Sequence, residues 1–460
     1  MDFISILNDV LGPVMRGPSS SHTAGSHHIG RIVRLLLGDE PARASFTFDP
    51  AGSYAATYRQ QGVDLALAAA LLGWPITDAR FPKALTIAPQ RGLKLAFKVA
   101  PLEKPEHPNT VAIELVAKSG RTVRATARSI GGGMVEVIEV DGRPVHLDGK
   151  GPVTLKAGGV SRTVPPIFFV RRGTPLFKSA AEMVRLAQRK RASLGRIALT
   201  YESRLLGLSE AQLLAEIGRR YDIMADSVRR GLAGRGVAMK LLEPTAGRIF
   251  RAEVRRGLPA GGYPTRAAAR AMAALHVSNS GGIVCAAPTG GSAGVLPGVL
   301  VTLAEEKRLG AERMALALLA AGAVGVIVAR RATFAAEVAG CQVEIGAAGA
   351  MAAAAVVDAA GGGAAHAADA AAIALQNTMG SVCDLVQGLC EIPCHTRNAA
   401  AAANAFLCAD LILGGYRNPV PLDETIDASF DSGRMLPVEL RCTAKGGLAM
   451  APSAEALKKK

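Results

Sequence analysis

GKGPVTLKAGG (149–159), followed at 163–166 by TVPP, divides the chain. Its glycines and prolines break strand and helix periodicity alike. Before it, short apolar and alternating runs look extended. They are FTFD (46–49), LKLAFKV (93–99), TVAIELVA (110–117), TVRATARSI (122–130) and MVEVIEV (134–140). Alternation with period two marks strands that bury one face. Ser119-Gly120 and Gly131–Gly133 separate the last three runs, which predicts an antiparallel meander. QQGVDLALAAALLG (60–73) reads as a helix. After the divide the pattern is helical from Ser179 onward. EMVRLAQRKR (182–191), SEAQLLAEIGRRYDIMADSVRRGL (209–232), AAARAMAALHV (267–277), AERMALALLAAGAVGVIVA (311–329) and RNAAAAANAFLCADLIL (397–413) follow in series. The fold class is therefore two-domain: a small α+β N-terminal domain (1–155), a linker (156–175) and a large, mostly α-helical C-terminal domain (176–455).

The chain has 460 residues, 49% of them hydrophobic, so it has apolar mass for more than one core. With 51 Gly and only 4% aromatics, helices must pack closely through small side chains instead of large anchors. The run at 311–329 is flanked by Glu312, Arg313, Arg330 and Arg331 and reads as a buried core helix, not a membrane span. MDFISILNDVLGPVMRG (1–17) has no basic segment before its apolar run and reads as a short amphipathic helix, not a signal peptide. The 53 Lys and Arg outnumber the 38 Asp and Glu, giving +15. They are scattered over helices without aromatic interleaving, and only Lys458–Lys460 form a run. This is a basic solvated surface with neither nucleic acid nor membrane as partner.

Seven cysteines carry the first chemical signal. Cys341, Cys383, Cys390 and Cys394 have local contexts GCQVEIG and SVCDLVQGLCEIPCHTRNA. An odd, clustered set in a long chain argues against a disulfide-stapled secreted domain. The last three lie in a Gly- and Pro-broken segment that could wrap thiolates around an inorganic cluster. Spacing alone also admits zinc, reactive thiols or small buried residues. Cys408 and Cys285 read as core.

Two polar loops could hold a small ligand. GPSSSHTAG (17–25) leads into a helix, where backbone amides and the hydroxyls of Ser19, Ser20, Ser21 and Thr23 suit a carboxylate. An N-cap turn is the plainer reading. APTGGSAG (287–294) has the composition of an anion nest, through Thr289, Gly290, Gly291 and Ser292, but has no phosphate-loop lysine after its glycines.

Taken together, GPSSSHTAG, GSYAATYRQQGVD (52–64), HPNTVAIEL (107–115), SIGGGMVEV (129–137), AAPTGGSAGVLPGVL (286–300), EVAGCQVEIG (337–346), GSVCDLVQGLCEIPCHTRNA (380–399) and LRCTAKGGLAMAPS (440–453) resemble the iron–sulfur-dependent L-serine dehydratases, also called L-serine ammonia-lyases. The chain is similar to the single-chain form, with a β-type domain fused to a cluster-bearing α-type domain. The resemblance implies a [4Fe–4S] cluster on Cys341, Cys383 and Cys394, with Cys390 an uncertain extra ligand. One iron would stay open for the serine hydroxyl, and no pyridoxal phosphate is expected. It implies a substrate site near Ser19–Thr23 and Thr289–Ser292. Ser20 and Ser21 would serve with His22, the last as base or orienter. It further implies conversion of L-serine to pyruvate and ammonia, a homodimer and a cytoplasmic enzyme of amino-acid degradation that feeds gluconeogenesis. Departures from the family pattern are Gln61 in place of a histidine, Leu385 after Cys383-Asp384, Cys442 within Leu440-Arg441-Cys442-Thr443, and Cys390 itself. These leave two alternatives: a lyase for another small β-hydroxy or β-thio amino acid, and a serine-binding sensor without catalysis.

Overall fold

The computed structural model describes residues 3–103 and 105–458. Met1, Asp2 and the Lys459–Lys460 end of the basic run lie outside the described residues. The chain divides into two compact units, one spanning Pro18–Arg171 and the other joining the residues up to Gly17 with Arg172 onward.

The smaller unit is α+β. Helix α1 (Gly25–Leu37) is followed by strand β1 (Pro41–Phe48), helix α2 (Val63–Leu71) and strands β2 (Lys94–Val99), β3 (Thr110–Ala117), β4 (Thr122–Gly131), β5 (Met134–Val140) and β6 (Arg143–Leu147). The sheet order is β2-β1-β3-β4-β5-β6. β2 runs parallel to β1, and the other neighbours are antiparallel. The expected meander is therefore β3-β4-β5. Alternate residues Ala44, Phe46 and Phe48 of β1 and Ile113 and Leu115 of β3 point into one core. Ile29, Ile32, Val33 and Leu36 of α1, at helical spacing, cover that face. Periodicity did not reveal β6 or a hairpin of Val153–Ala157 with Val160–Val164. That hairpin occupies part of the segment read as linker (156–175). Its strands bury little beyond Ala157 and Val164, so the apolar alternation is faint.

The larger unit is helical. Its main elements are α3 (Leu194–Leu206), α4 (Glu210–Ala233), α5 (Gly262–Asn279), α6 (Val295–Lys307), α7 (Ala311–Arg331), α8 (Ile345–Ala359), α9 (Ala364–Gln376), α10 (Cys394–Leu413) and α11 (Leu422–Arg434). Every residue of α8 is buried. Alanine and glycine make this possible, because small side chains let helix backbones approach closely. Ala311–Arg331 and Cys341–Ala359 are long and apolar enough to cross a membrane, yet both are mostly buried within this unit.

The N-terminal segment up to Gly17 groups with the helical unit, whereas the sequence reading placed it in the small domain (1–155). The turn Ile6–Val10 lies on α7, where a Cβ at Gly322 would sit 2.6 Å from Ile6 and one at Gly325 2.2 Å from Val10. Only glycine permits that approach. The buried carboxylate of Glu202 on α3 accepts the Ile6 and Leu7 amides at 2.8 and 2.9 Å. Val14–Arg16 then pairs antiparallel with Ile283–Cys285. A buried partner distant in sequence, not the short apolar run itself, assigns these residues to the helical unit.

Candidate metal centre and its flanking loops

The chain reaches the thiol site by three separate routes. A short turn at Cys341–Val343 precedes α8, and the Cys341 amide donates to Ser381 O at 2.9 Å. This brings Cys341 to the segment that carries Cys383. Cys383–Asp384 pairs in parallel with Arg441–Thr443. Cys394 is the first residue of α10, where the positive end of the helix dipole favours a thiolate. The segment before α10 is pinned by Glu391, whose buried carboxylate accepts the amides of Lys240, Leu241 and Leu242 at 2.7, 2.8 and 2.9 Å. Asn279 Nδ2 donates to Cys390 O at 2.8 Å.

The donors cluster accordingly. Ligand atoms of Cys341, Glu344 and Cys383 lie within 4.8 Å of one another. Cys383 is within hydrogen-bonding reach of both Cys341 and Cys442, and Cys390 of Cys394. All five thiols are buried and none is in a disulfide. Hydrogen bonding to Cys341 and Cys442, followed by burial, pushes the Cys383 thiol well up, and the Cys394 contact and burial do the same to Cys390. Metal binding to such a set releases protons. Soft, buried sulfur donors on irregular turns fit an iron–sulfur group. Structure and spacing differ on one point: Cys394 begins a regular 20-residue helix and is not in broken backbone.

Three neighbours escaped the sequence reading. Arg397 Nη1 lies 3.8 Å from Cys341 Sγ and 2.8 Å from Asp384 Oδ1, placing a cation beside sulfur. Asn398 is fully buried. Its Oδ1 accepts the Gly294 amide at 3.2 Å, and its Nδ2 donates to Gly291 O and Cys394 O at 2.9 Å each. Glu344 accepts the Thr289 hydroxyl, and burial pushes its carboxyl up, against that hydrogen bond. A local signal existed for Arg397 and Asn398, which follow Cys394 at helical spacing. Glu344 follows Cys341 by one turn. A cavity of about 310 Å³ opens beside Cys341 and Arg397, with Asn377, Thr378, Ser381 and Asn404 on its wall.

The Thr289–Ser292 turn precedes α6 and reaches this centre through Asn398 and Glu344. Thr289 and Ser292 cap each other: each amide donates to the other's hydroxyl, at 3.2 and 3.1 Å. Gly290 and Gly291 carry the remaining amides of the turn. A Cβ on Gly291 would lie 2.5 Å from Glu344 Oε1, so glycine makes room for the carboxyl. That carboxyl disfavours a second, ionised carboxylate there and suits an ammonium group or a shared proton.

In the smaller unit, Ser19 caps the turn Ser20–Ala24, and its Oγ accepts the His22 amide at 3.2 Å. The Thr23 and Ala24 amides bond Ser19 O. The amides of His22, Thr23 and Ala24 are thus used within the turn. Ser20 is buried and Ser21 half-buried. Thr23 Oγ1 donates to Gln61 O at 2.8 Å. His22 is fully buried. Its Nδ1 meets Ser21 Oγ at 3.0 Å and Ser19 Oγ at 3.3 Å, and its Nε2 meets Ser53 Oγ at 3.2 Å. Burial, with a smaller contribution from His107, pushes its pKa down to about 3, so the ring is neutral at pH 7. His27 and His28 bond the carbonyls of Trp74 and Gly133 at 2.8 Å and hold the fold. Gln61 is buried, and among the described residues neither its Nε2 nor its Oε1 has a hydrogen-bond partner. Of the remaining cysteines, Cys285 packs in the core with its thiol against Leu11 O, and Cys408 contacts Asn377 and Asn404. Leu385 is likewise core.

Comparison with known proteins adds four likenesses. The profile of the family described as serine dehydratase alpha chain matches residues 173–449. A probable L-serine dehydratase alpha chain of Bacillus subtilis (strain 168) is 36% identical over 286 residues, covering 62% of this chain and 95% of that protein. The probable L-serine dehydratase beta chain of the same organism is 42% identical over 147 residues, covering 32% of this chain and 65% of that protein. An L-serine dehydratase of Streptomyces coelicolor (strain ATCC BAA-471 / A3(2) / M145) is 30% identical over 467 residues, covering 94% of this chain and 96% of that protein.

Proposed function

The chain belongs to the serine dehydratase family of lyases, and on that premise we propose that it converts L-serine to pyruvate and ammonia with a [4Fe–4S] cluster held by Cys341, Cys383 and Cys394. The observation that carries this reading is the joining of a buried thiol set to the Thr289–Ser292 turn through Asn398 and Glu344. When bound, a cluster with an accessible iron supplies a Lewis acid for the hydroxyl that leaves. The protein's own groups do the rest. Arg397 balances negative sulfur beside Cys341. Glu344 accepts the Thr289 hydroxyl at the edge of the site, where the substrate ammonium can be met. Burial around the thiols excludes bulk water. Loss of the Cα proton and the C3 hydroxyl yields an enamine, which tautomerises and is hydrolysed to pyruvate and ammonia. His22 orients the hydroxyls of Ser19, Ser21 and Ser53, since a ring held neutral down to about pH 3 is a weak proton acceptor at neutral pH.

Anaerobic reconstitution with iron and sulfide tests the reading. Uptake of both, a brown chromophore, and pyruvate and ammonia released from L-serine are the expected results. Protein that takes up zinc but neither iron nor sulfide refutes it. The unpartnered Gln61 amide favours a second reading, a lyase for a related small β-hydroxy or β-thio amino acid, because a buried amide without partners is suited to a ligand group. A substrate panel in which L-serine has the highest kcat/KM removes that alternative.

A further inference from the structure

The five buried thiols of the site fall into two groups. Cys383 meets Cys341 and Cys442, and Cys390 meets Cys394. Cys442 joins the first group from a bulge: Arg441 stands opposite Cys383 and Thr443 opposite Asp384, with a break in register between them. That group draws on three distant stretches of chain. The second is a local pair, with Cys390 in the turn that leads into α10 and Cys394 as the first residue of the helix. The turn is held at both ends. Asn279 Nδ2 donates to Cys390 O at 2.8 Å, and Asn398 Nδ2 donates to Cys394 O at 2.9 Å. Between them the His395 amide donates to Glu391 O at 3.2 Å, so the chain already winds at helical pitch. Residues one turn apart on such a chain stand about 5–6 Å apart, within the Cα separation that a disulfide spans.

The two thiols also differ in the way a reactive pair needs. Cys394 has the positive end of α10 behind it, and the Arg397 cation faces both Cys341 and Cys394. Cys390 has no such support and stands beside it. A small oxidant has a way in, because the cavity of about 310 Å³ is lined by Cys341 and Arg397, one turn from Cys394.

We infer that Cys390 and Cys394 are a site of reversible oxidation, closed into a disulfide by a hydroperoxide once iron has been lost and reopened by thiol. The Cys394 sulfur attacks hydrogen peroxide, the O–O bond breaks, and a sulfenic acid and water form. The Cys390 sulfur then attacks the sulfenic sulfur, the S–O bond breaks, and the disulfide and a second water form. In sum, two thiols and one peroxide give one disulfide and two waters, with two electrons passing from sulfur to oxygen. In the iron–sulfur reading, on which the consequence for the cluster rests, closing the pair withdraws one ligand and spares it from irreversible oxidation. Reduction returns the ligand for reloading.

The experiment takes the full chain reconstituted with iron and sulfide, strips the metal with a chelator, and exposes it to a small excess of hydrogen peroxide with air excluded. Remaining thiols are alkylated and the protein is mapped by mass spectrometry. The expected wild-type product joins Cys390 to Cys394, lighter by two hydrogens, and dithiothreitol removes the link and restores full uptake of iron and sulfide. In Cys390→Ser, Cys394 is expected to go on to sulfinic and sulfonic acid, and dithiothreitol leaves iron uptake largely lost. A wild-type map in which Cys394 stays alkylatable, carries sulfinic acid, or is joined to Cys341, Cys383 or Cys442 overturns the pairing. So does Cys390→Ser protein that recovers iron as completely as wild type. Wild-type protein that takes up no iron and sulfide before any oxidant overturns the iron–sulfur reading instead, while the map of the same chain still decides the pairing. That map also decides it if the variant does not fold.

Discussion

Asn398→Ala removes the staple between α10 and the Thr289–Ser292 turn. Two hydrogen bonds to the turn are lost, from the Gly294 amide to Oδ1 at 3.2 Å and from Nδ2 to Gly291 O at 2.9 Å. Each contributes about 0.5–1.5 kcal/mol net, and an unsatisfied buried amide adds about 1–3 kcal/mol. Asn398 and Gly294 are both buried, so water does not readily replace the lost partner. The local cost is therefore about 2–6 kcal/mol. For a chain of two compact units, a single global unfolding energy is poorly defined, so the assay should be local. Hydrogen exchange of a peptide covering 287–298 reads opening of the turn directly. At tenfold per 1.4 kcal/mol, the Gly294 amide should exchange between about thirtyfold and about twenty-thousandfold faster in the variant. Asn398→Asp keeps an acceptor for Gly294 and should restore most of the protection there, while its second oxygen faces Gly291 O and leaves that end loose. Exchange at the wild-type rate in Asn398→Ala refutes the reasoning and assigns the position of the turn to packing alone.

Three further outcomes follow from other contacts. Burial pushes Glu202 up to about 7 from 4.5, so the folded protein holds a proton that the unfolded chain releases across that interval. Its contribution is fully present below about pH 4.5 and falls by about 3 kcal/mol as pH rises towards 7. Thermal melts across that window should show the decline in wild type and a flatter profile in Glu202→Gln. Gly291→Ala should fold and take up iron, because the atom it meets is the movable end of Glu344, but turnover should fall as that carboxyl leaves Thr289. Iron analysis beside a pyruvate assay separates the two effects, and full turnover counts against a role for the Glu344–Thr289 contact. His22→Asn should lower turnover by roughly tenfold with an unchanged pH profile, since loss of a general base costs about 10²–10⁴-fold. A loss in the larger range, with the profile displaced, points to proton transfer at His22.

Much of the architecture was legible because its signals are local. The β3-β4-β5 meander follows from alternation and glycine turns within a single stretch. The buried helix Ala311–Arg331 follows from an apolar run bounded by charge. Elements with weak burial left no such trace, as with the hairpin of Val153–Ala157 and Val160–Val164, which runs into the segment expected as linker. Cys383, Cys390 and Cys394 announce themselves by proximity in sequence. Glu344, Arg397 and Asn398 do not, since an acidic residue near a helix start or an Arg-Asn pair in a helix has many uses.

The sequence by itself determined the two-part organisation, the thiol-rich segment and the two hydroxyl-bearing turns, because periodicity, turn chemistry and short spacings are written residue by residue. Only the tertiary structure decided that the first residues belong to the helical unit, since the evidence is a carboxylate on α3 that meets amides nearly two hundred residues away. It alone decided that Cys442 joins Cys383, because a left-handed bulge held by Leu436 and Asp384 turns the thiol inward. It likewise decided that His22 is spent among serine hydroxyls, a matter of burial and not of motif. Contacts of this kind depend on which surfaces remain after helices and strands have packed, and no local pattern carries that information.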